Sequence, residues 1–135
     1  MRIVLDANIY LSAIGFKSKM LQEFILMCFE SFEVVRCEEL VEEIRYNLDK
    51  KCKAQDLEWQ IFDLMIESGK NFKLTSHEYY ARDPKDGYLL TLSEISKASF
   101  LITGDNDLLD LKSFKQTKIL KARDFVDLIS QQQMP

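Results

Sequence analysis

An α/β fold of three layers, with helices on both sides of a central, mainly parallel sheet, is predicted by three features of the sequence. The run Ile3-Val4-Leu5 is apolar without alternation, as in a strand buried on both faces. Strand-like runs alternate with helical stripes along the whole chain. Only four glycines and two prolines punctuate the 135 residues, so no linker, repeat or low-complexity stretch divides them. A chain of this length builds one substantial core, expected as a single domain over residues 1–130, with 131–135 as a flexible tail.

The first strand stops at a carboxylate, Asp6. Gly15-Phe16-Lys17-Ser18 reads as a loop. Lys19 to Ser31 reads as a helix whose wide stripe of Met20, Leu21, Phe24, Ile25, Met27, Cys28 and Phe29 should face the sheet. A short strand is expected from Phe32 to Cys37, then a helix from Glu38 to Lys51. A third helix, Ala54 to Ser68, carries Leu57, Ile61, Leu64 and Met65 at helical spacing and is stopped by Gly69. An extended segment over 71–75 and a polar loop to Arg82 lead to Asp83-Pro84, a helix start with Asp83 as cap and Pro84 in the first turn. That helix should end near Lys97. The strand Ser99 to Thr103, a short helix from Asn106 to Lys112, a strand at Lys118-Ile119-Leu120 and a helix from Ala122 to Ser130 complete the alternation.

Hydrophobic residues at 47% and charged residues at 30% are ordinary for a soluble globular protein. The longest apolar run, Phe24 to Phe29, is far too short to span a membrane, and Met1-Arg2 runs straight into the first strand without a signal peptide, so a cytoplasmic location is expected. Cys28, Cys37 and Cys52 are odd in number and lack Cys-x-x-Cys spacing, which suits reduced packing residues. A single histidine, His77, argues against zinc. Any metal here would be held by oxygen. A net charge of -4 disfavours a general nucleic-acid-binding surface, although clustered carboxylates supply part of that charge and a bound cation would reverse the local sign.

The acids are placed where sites form. Ligands of open parallel sheets sit outside the carboxyl ends of the strands, and Asp6 closes the first one. Phe100-Leu101-Ile102-Thr103 likewise runs into Gly104-Asp105-Asn106-Asp107, so two strand ends carry three carboxylates and ask for a cation. Each acid also has a purely structural reading: Asp105 as an N-cap, Asp107 and Asp86 as first-turn acids beside a helix dipole. In the helix from Glu38, apolar Leu40, Val41, Ile44 and Leu48 define one face. Glu39 and Glu42 lie opposite it and should be solvated, whereas Glu38 and Glu43 flank it and can reach over its edge. Glu43, away from the helix start, is the more informative of the two. Such a set suits Mg²⁺ or Mn²⁺, which take carboxylate and water oxygens.

These stretches resemble the PIN domain, a family of small α/β metal-dependent ribonucleases that includes the VapC-like toxins of toxin–antitoxin pairs. Leu5 to Ala13 resembles the opening motif, Glu39 to Ile44 the glutamate-bearing helix, Arg82 to Asp86 the third motif, and Leu101 to Leu109 the last. The resemblance implies catalytic and metal-binding roles for Asp6, Glu43, Asp86 and Asp105, with Asp107 a further, outer ligand, and Asn8 and Thr103 as supports that orient them. One position departs from the family: Ala7 stands where Thr or Ser is usual, which puts the fine tuning of the site in question.

The resemblance also implies hydrolysis of RNA phosphodiesters with a cation-activated water, an antitoxin partner and homodimerisation. The Met20–Phe29 stripe and the aromatic helix with Trp59 and Phe62 are candidates for the protein contact. Lys17, Lys19, Arg45 and Arg82 are candidates to guide RNA. Haloacid-dehalogenase phosphatases and response-regulator receivers fit less well: Asn8 stands where the former carry a second Asp, and the acidic pair of the latter is missing. The alternative within the family is a catalytically weak module that binds RNA or protein.

Overall fold

The computed structural model describes residues 1–74 and 87–133. β1 (Arg2–Leu5) leads through Asp6 directly into α1 (Ala7–Tyr10), which continues as a π-helical turn over Leu11–Gly15. Then come α2 (Lys19–Ser31), β2 (Glu33–Arg36), α3 (Glu38–Lys50), α4 (Asp56–Ser68) and β3 (Lys70–Asn71). After the undescribed residues 75–86 follow α5 (Gly87–Ser96), β4 (Phe100–Ile102), α6 (Asn106–Leu109), β5 (Ser113–Phe114), β6 (Thr117–Leu120) and α7 (Ala122–Gln133). The expected cap Asp83, Pro84 and His77 lie outside the described residues.

The six strands form one sheet in the order β3-β2-β1-β4-β6-β5, parallel throughout except for β5, which pairs antiparallel with β6. Ile3, Val4 and Leu5 of β1 are wholly buried. Because successive strand side chains point to opposite faces, this means that layers cover the sheet on both sides. α5 shows the same thing from the helical side: of its ten residues only Glu94 and Ile95 reach solvent. It packs on β1, β4 and α3. Elsewhere Phe125 of α7 meets Phe24 of α2 at 6.0 Å, Phe32 at 5.4 Å and Phe100 of β4 at 4.9 Å between ring centroids, which ties the last helix to the sheet and to α2.

Four expectations need correction. No loop begins at Gly15, since α1 and the π-helical turn carry the chain to it, and a Cβ there would lie 2.3 Å from the Cys52 sulfur, so the close approach explains the glycine. The stripe of α2 buries Phe24, Ile25 and Cys28 and packs Leu21, Met27 and Phe29 partly against the core, but leaves Met20 exposed. In α4 the expected stripe is split: Leu57 and Leu64 mark the outer face, each 64% exposed, while Ile61 and Met65 are partly buried against the core. At roughly 100° per residue, Trp59, Phe62 and Ile66 form a second apolar stripe on the opposite side. That one is turned inward, with Phe62 buried and Trp59 edge-on to it at 5.8 Å, because the aromatic rings have more area to remove from water. Phe62 is therefore no contact surface. Finally, α7 runs on to Gln133, beyond the expected Ser130.

Candidate metal centre

The chain travels from β1 outward to β2 and β3, then returns to place β4 on the other side of β1. This reversal opens a crevice at the carboxyl ends of β1 and β4. Asp6 stands at the first of these ends and is held in the ladder, its N–H donating to Ile102 O at 2.9 Å. Thr103 stands at the second, its N–H donating to Leu120 O at 3.0 Å.

Thr103 joins the two ends. Its hydroxyl donates to Asp6 Oδ2 at 2.6 Å and accepts the N–H of Asp105 at 3.0 Å. Asp105 in turn caps α6, with Oδ1 accepting the N–H of Asp107 at 2.8 Å. The Asp6 carboxyl is buried, and that burial raises its pKa above the usual carboxylate value. The Thr103 hydroxyl and the N–H groups of Asn8 and Ala7 oppose the rise, whereas the charge of Asp105 adds to it.

α3 turns its apolar face inward as its spacing requires, burying Leu40, Val41, Ile44 and Leu48. Glu43 is half-buried at the margin of that face. The Tyr88 hydroxyl, from α5, donates to Glu43 Oε1 at 2.8 Å. Tyr88 is buried, which pushes its hydroxyl pKa far up, and the charges of Glu43 and Asp6 push it further. Sequence reasoning passed over this residue. The signal was the polar atom of a tyrosine within the otherwise apolar Tyr88-Leu89-Leu90, since a buried phenol needs a partner. Glu39, expected to be solvated, is half-buried instead, because it sits at the helix start beside the buried Cys37 and Asn71–Leu74 come alongside to enclose a cavity of about 620 Å³.

The remaining candidates are placed as follows. Asp107 is half-buried and Asn8 exposed. Lys17 and Lys19 are exposed at the start of α2. Arg45 lies roughly 200° around α3 from Glu43. Its guanidinium sits over the Phe62 ring at 5.6 Å, so the fold takes it away from the acids. Asp86 and Arg82 lie outside the described residues. Among the described residues, no group of three or more His, Cys, Asp or Glu side chains stands close enough to hold a metal ion by itself. Asp6 and Asp105, joined through Thr103, are the carboxylates that the strand ends bring together.

A profile described as PIN domain matches residues 2–107, most of the chain and all of these positions. The chain belongs to the PIN domain family. PIN domains are generally nucleases and typically depend on a divalent metal. Among solved structures, the fold is similar to VapBC2 from Rickettsia felis, bound to a DNA fragment from their promoter: TM-score 0.63, 12% identity, 88% of this chain and 97% of that one. It is also similar to PAE2754 from Pyrobaculum aerophilum, with a TM-score of 0.64 at 16% identity over 96% of this chain and 90% of that one. No curated protein matches. No described helix of this PIN domain is long and apolar enough to cross a membrane.

Proposed function

We propose that this PIN domain is a Mg²⁺- or Mn²⁺-dependent endoribonuclease, the toxin of a toxin–antitoxin pair. The observation that carries this reading is the meeting of Asp6 and Asp105 through Thr103 at the topological switch of the sheet. The donor set fits a hard cation. Mg²⁺ usually takes one or two protein carboxylates and completes its shell with water, so two acids at the strand ends suffice to seat it. Burial of Asp6 leaves its charge short of compensation, which a cation would supply.

Asp6, Glu43, Asp86 and Asp105 would hold the metal, with Asp107 as a further ligand. When bound, the cation lowers the pKa of a water for attack on the phosphodiester and neutralises charge on the leaving oxygen. The chain's own part is positional. Thr103 donates to Asp6 and so fixes the oxygen Oδ2, and it orients Asp105 through the backbone N–H. Asn8 contributes its N–H to Asp6 rather than its side chain. Lys17 and Lys19 supply exposed positive charge to guide an RNA strand, whereas Arg45, engaged with Phe62, does not join them. With the chain at -4 overall, such guidance is local, and affinity for RNA should fall with added salt.

The likeness to VapBC2 supports an antitoxin partner. A groove of about 430 Å³ between α2 and α7, lined by Met20, Phe24, Met27 and Val126, offers that partner or a second copy an apolar seat. Co-purification with the product of the neighbouring reading frame, and light scattering of the chain alone, test these two contacts. The decisive experiment for the activity compares wild type, Asp6→Asn and Asp105→Asn on single-stranded and structured RNA with Mg²⁺, Mn²⁺ or chelator. Cleavage is expected only for wild type with metal. Cleavage that survives chelator, or that both variants retain in full, rules the mechanism out. Metal-dependent RNA binding without cleavage identifies the weaker module instead.

A further inference from the structure

Glu43 lies half-buried at the edge of α3, on a side chain with three rotatable bonds. Fixing such a chain costs rotamer entropy unless a neighbour has already ordered it. The neighbour here is Tyr88. Its ring is packed into α5, the most completely buried helix, and only 7% of the residue is exposed. Its hydroxyl is therefore set by the core rather than by solvent, and it meets Glu43 Oε1 at 2.8 Å. The charge of Asp6 also acts on this hydroxyl, so it shares the electrostatic surroundings of both acids. A phenol in that place presents one proton to a carboxylate and adds no charge of its own to the acid cluster.

We propose that Tyr88 is a positioning residue, which holds the Glu43 carboxylate toward Asp6 for a divalent cation by donating a hydrogen bond from the buried core. The proposal rests on the reading of Asp6 and Glu43 as metal ligands. It assigns the orienting role for Glu43 to α5, the helix whose buried side packs on α3. Hydrogen-bond partners of metal-ligating carboxylates are commonly worth 10–100-fold in metal affinity. Loss of the Tyr88 hydroxyl should be felt in the same way.

The test uses Tyr88→Phe, which keeps the ring that fills the core and removes only the donor. Mn²⁺ binding is measured by titration calorimetry for wild type, Tyr88→Phe, Glu43→Gln and the double variant, with far-UV circular dichroism as the check on folding. Tyr88→Phe should bind Mn²⁺ about ten-fold more weakly. On the Glu43→Gln background it should cost nothing further, because its effect passes through Glu43. In RNA cleavage, the Mn²⁺ concentration for half-maximal rate should rise by the same factor with KM for RNA unchanged, and excess Mn²⁺ should restore the rate. Equal Mn²⁺ affinity in wild type and Tyr88→Phe overturns the role of Tyr88 and leaves the metal reading standing. An undiminished cost of Tyr88→Phe in the Glu43→Gln background overturns it too. If wild type binds no Mn²⁺, or Glu43→Gln binds as wild type does, the ligand reading fails and takes the proposal with it.

Discussion

Thr103 is the residue on which the two strand ends depend. Its hydroxyl both donates to Asp6 and accepts from Asp105 N–H, so Thr103→Val keeps the shape and removes two hydrogen bonds, one of them to a buried carboxylate. The expected loss is about 3 kcal/mol of folding stability, read from the midpoint of urea unfolding in chelator. Asp6 gives the opposite result. Its folded pKa is raised, so the cation-free protein has its full share of stability below the unfolded carboxylate value of 3.8 and loses it as the pH rises through the folded value. Asp6→Asn removes that loss. In chelator at neutral pH the variant should melt at a higher temperature than wild type, and the difference should close in acid, as thermal scans at the two pH values will show. The cysteines behave as the sequence predicts packing residues should. Burial pushes the Cys28 and Cys37 thiols up to about 12, and all three cysteines are free.

At the scale of elements, the turns carry the least expected chemistry. Among the described residues, five other than glycine have positive φ, and all are lysines: Lys17, Lys53, Lys97, Lys112 and Lys115. No described glycine has positive φ. Lys97 shows why this matters. It follows α5 at φ 56°, where the N–H of Ala98 reaches back to Ser93 O at 3.0 Å, the closure that glycine usually makes at a helix end. A side chain in that left-handed region costs about 1–2 kcal/mol, and part of it is returned by the smaller unfolded-state entropy of lysine. Lys97→Gly should therefore raise stability by about 0.5–1 kcal/mol, and the melting temperature by roughly 3 °C, with the candidate site untouched. The same lysines explain what the sequence concealed. The hairpin of β5 and β6 turns on Lys115-Gln116, with none of the Asn-Gly or Asp-Gly signals by which such turns are recognised, so the edge strand went unseen. The long helices were legible because their stripes have one period. α4 was half legible, since it carries two opposed apolar stripes and composition does not say which is turned inward. Of the candidate site, the positions of Asp6 and Asp105 at strand ends were legible in the sequence, and a role for Thr103 only in the resemblance of its motif. Tyr88 was not, because only a fold that brings α5 against α3 gives its hydroxyl a purpose.

For the molecule as a whole, one core joins residues from β1 to α7, including Phe62 of the peripheral α4. Trp59 packs on that ring and reports from the same helix. Urea unfolding followed by Trp59 fluorescence and by far-UV circular dichroism should thus give coincident transitions, whereas an earlier fluorescence change would mean that α4 leaves the core first. The two borders of the sheet bear on how the protein behaves in a crowded solution. Among the described residues, each is closed by a strand of two residues, Lys70–Asn71 at one side and Ser113–Phe114 at the other, with lysines at 70, 73, 112 and 115 beside them. Such borders give a neighbouring chain almost no free ladder to extend and surround what remains with like charge. Growth into fibrils by strand addition is thereby discouraged. Copies that associate through helix side chains instead make a contact that can end at two rather than propagate.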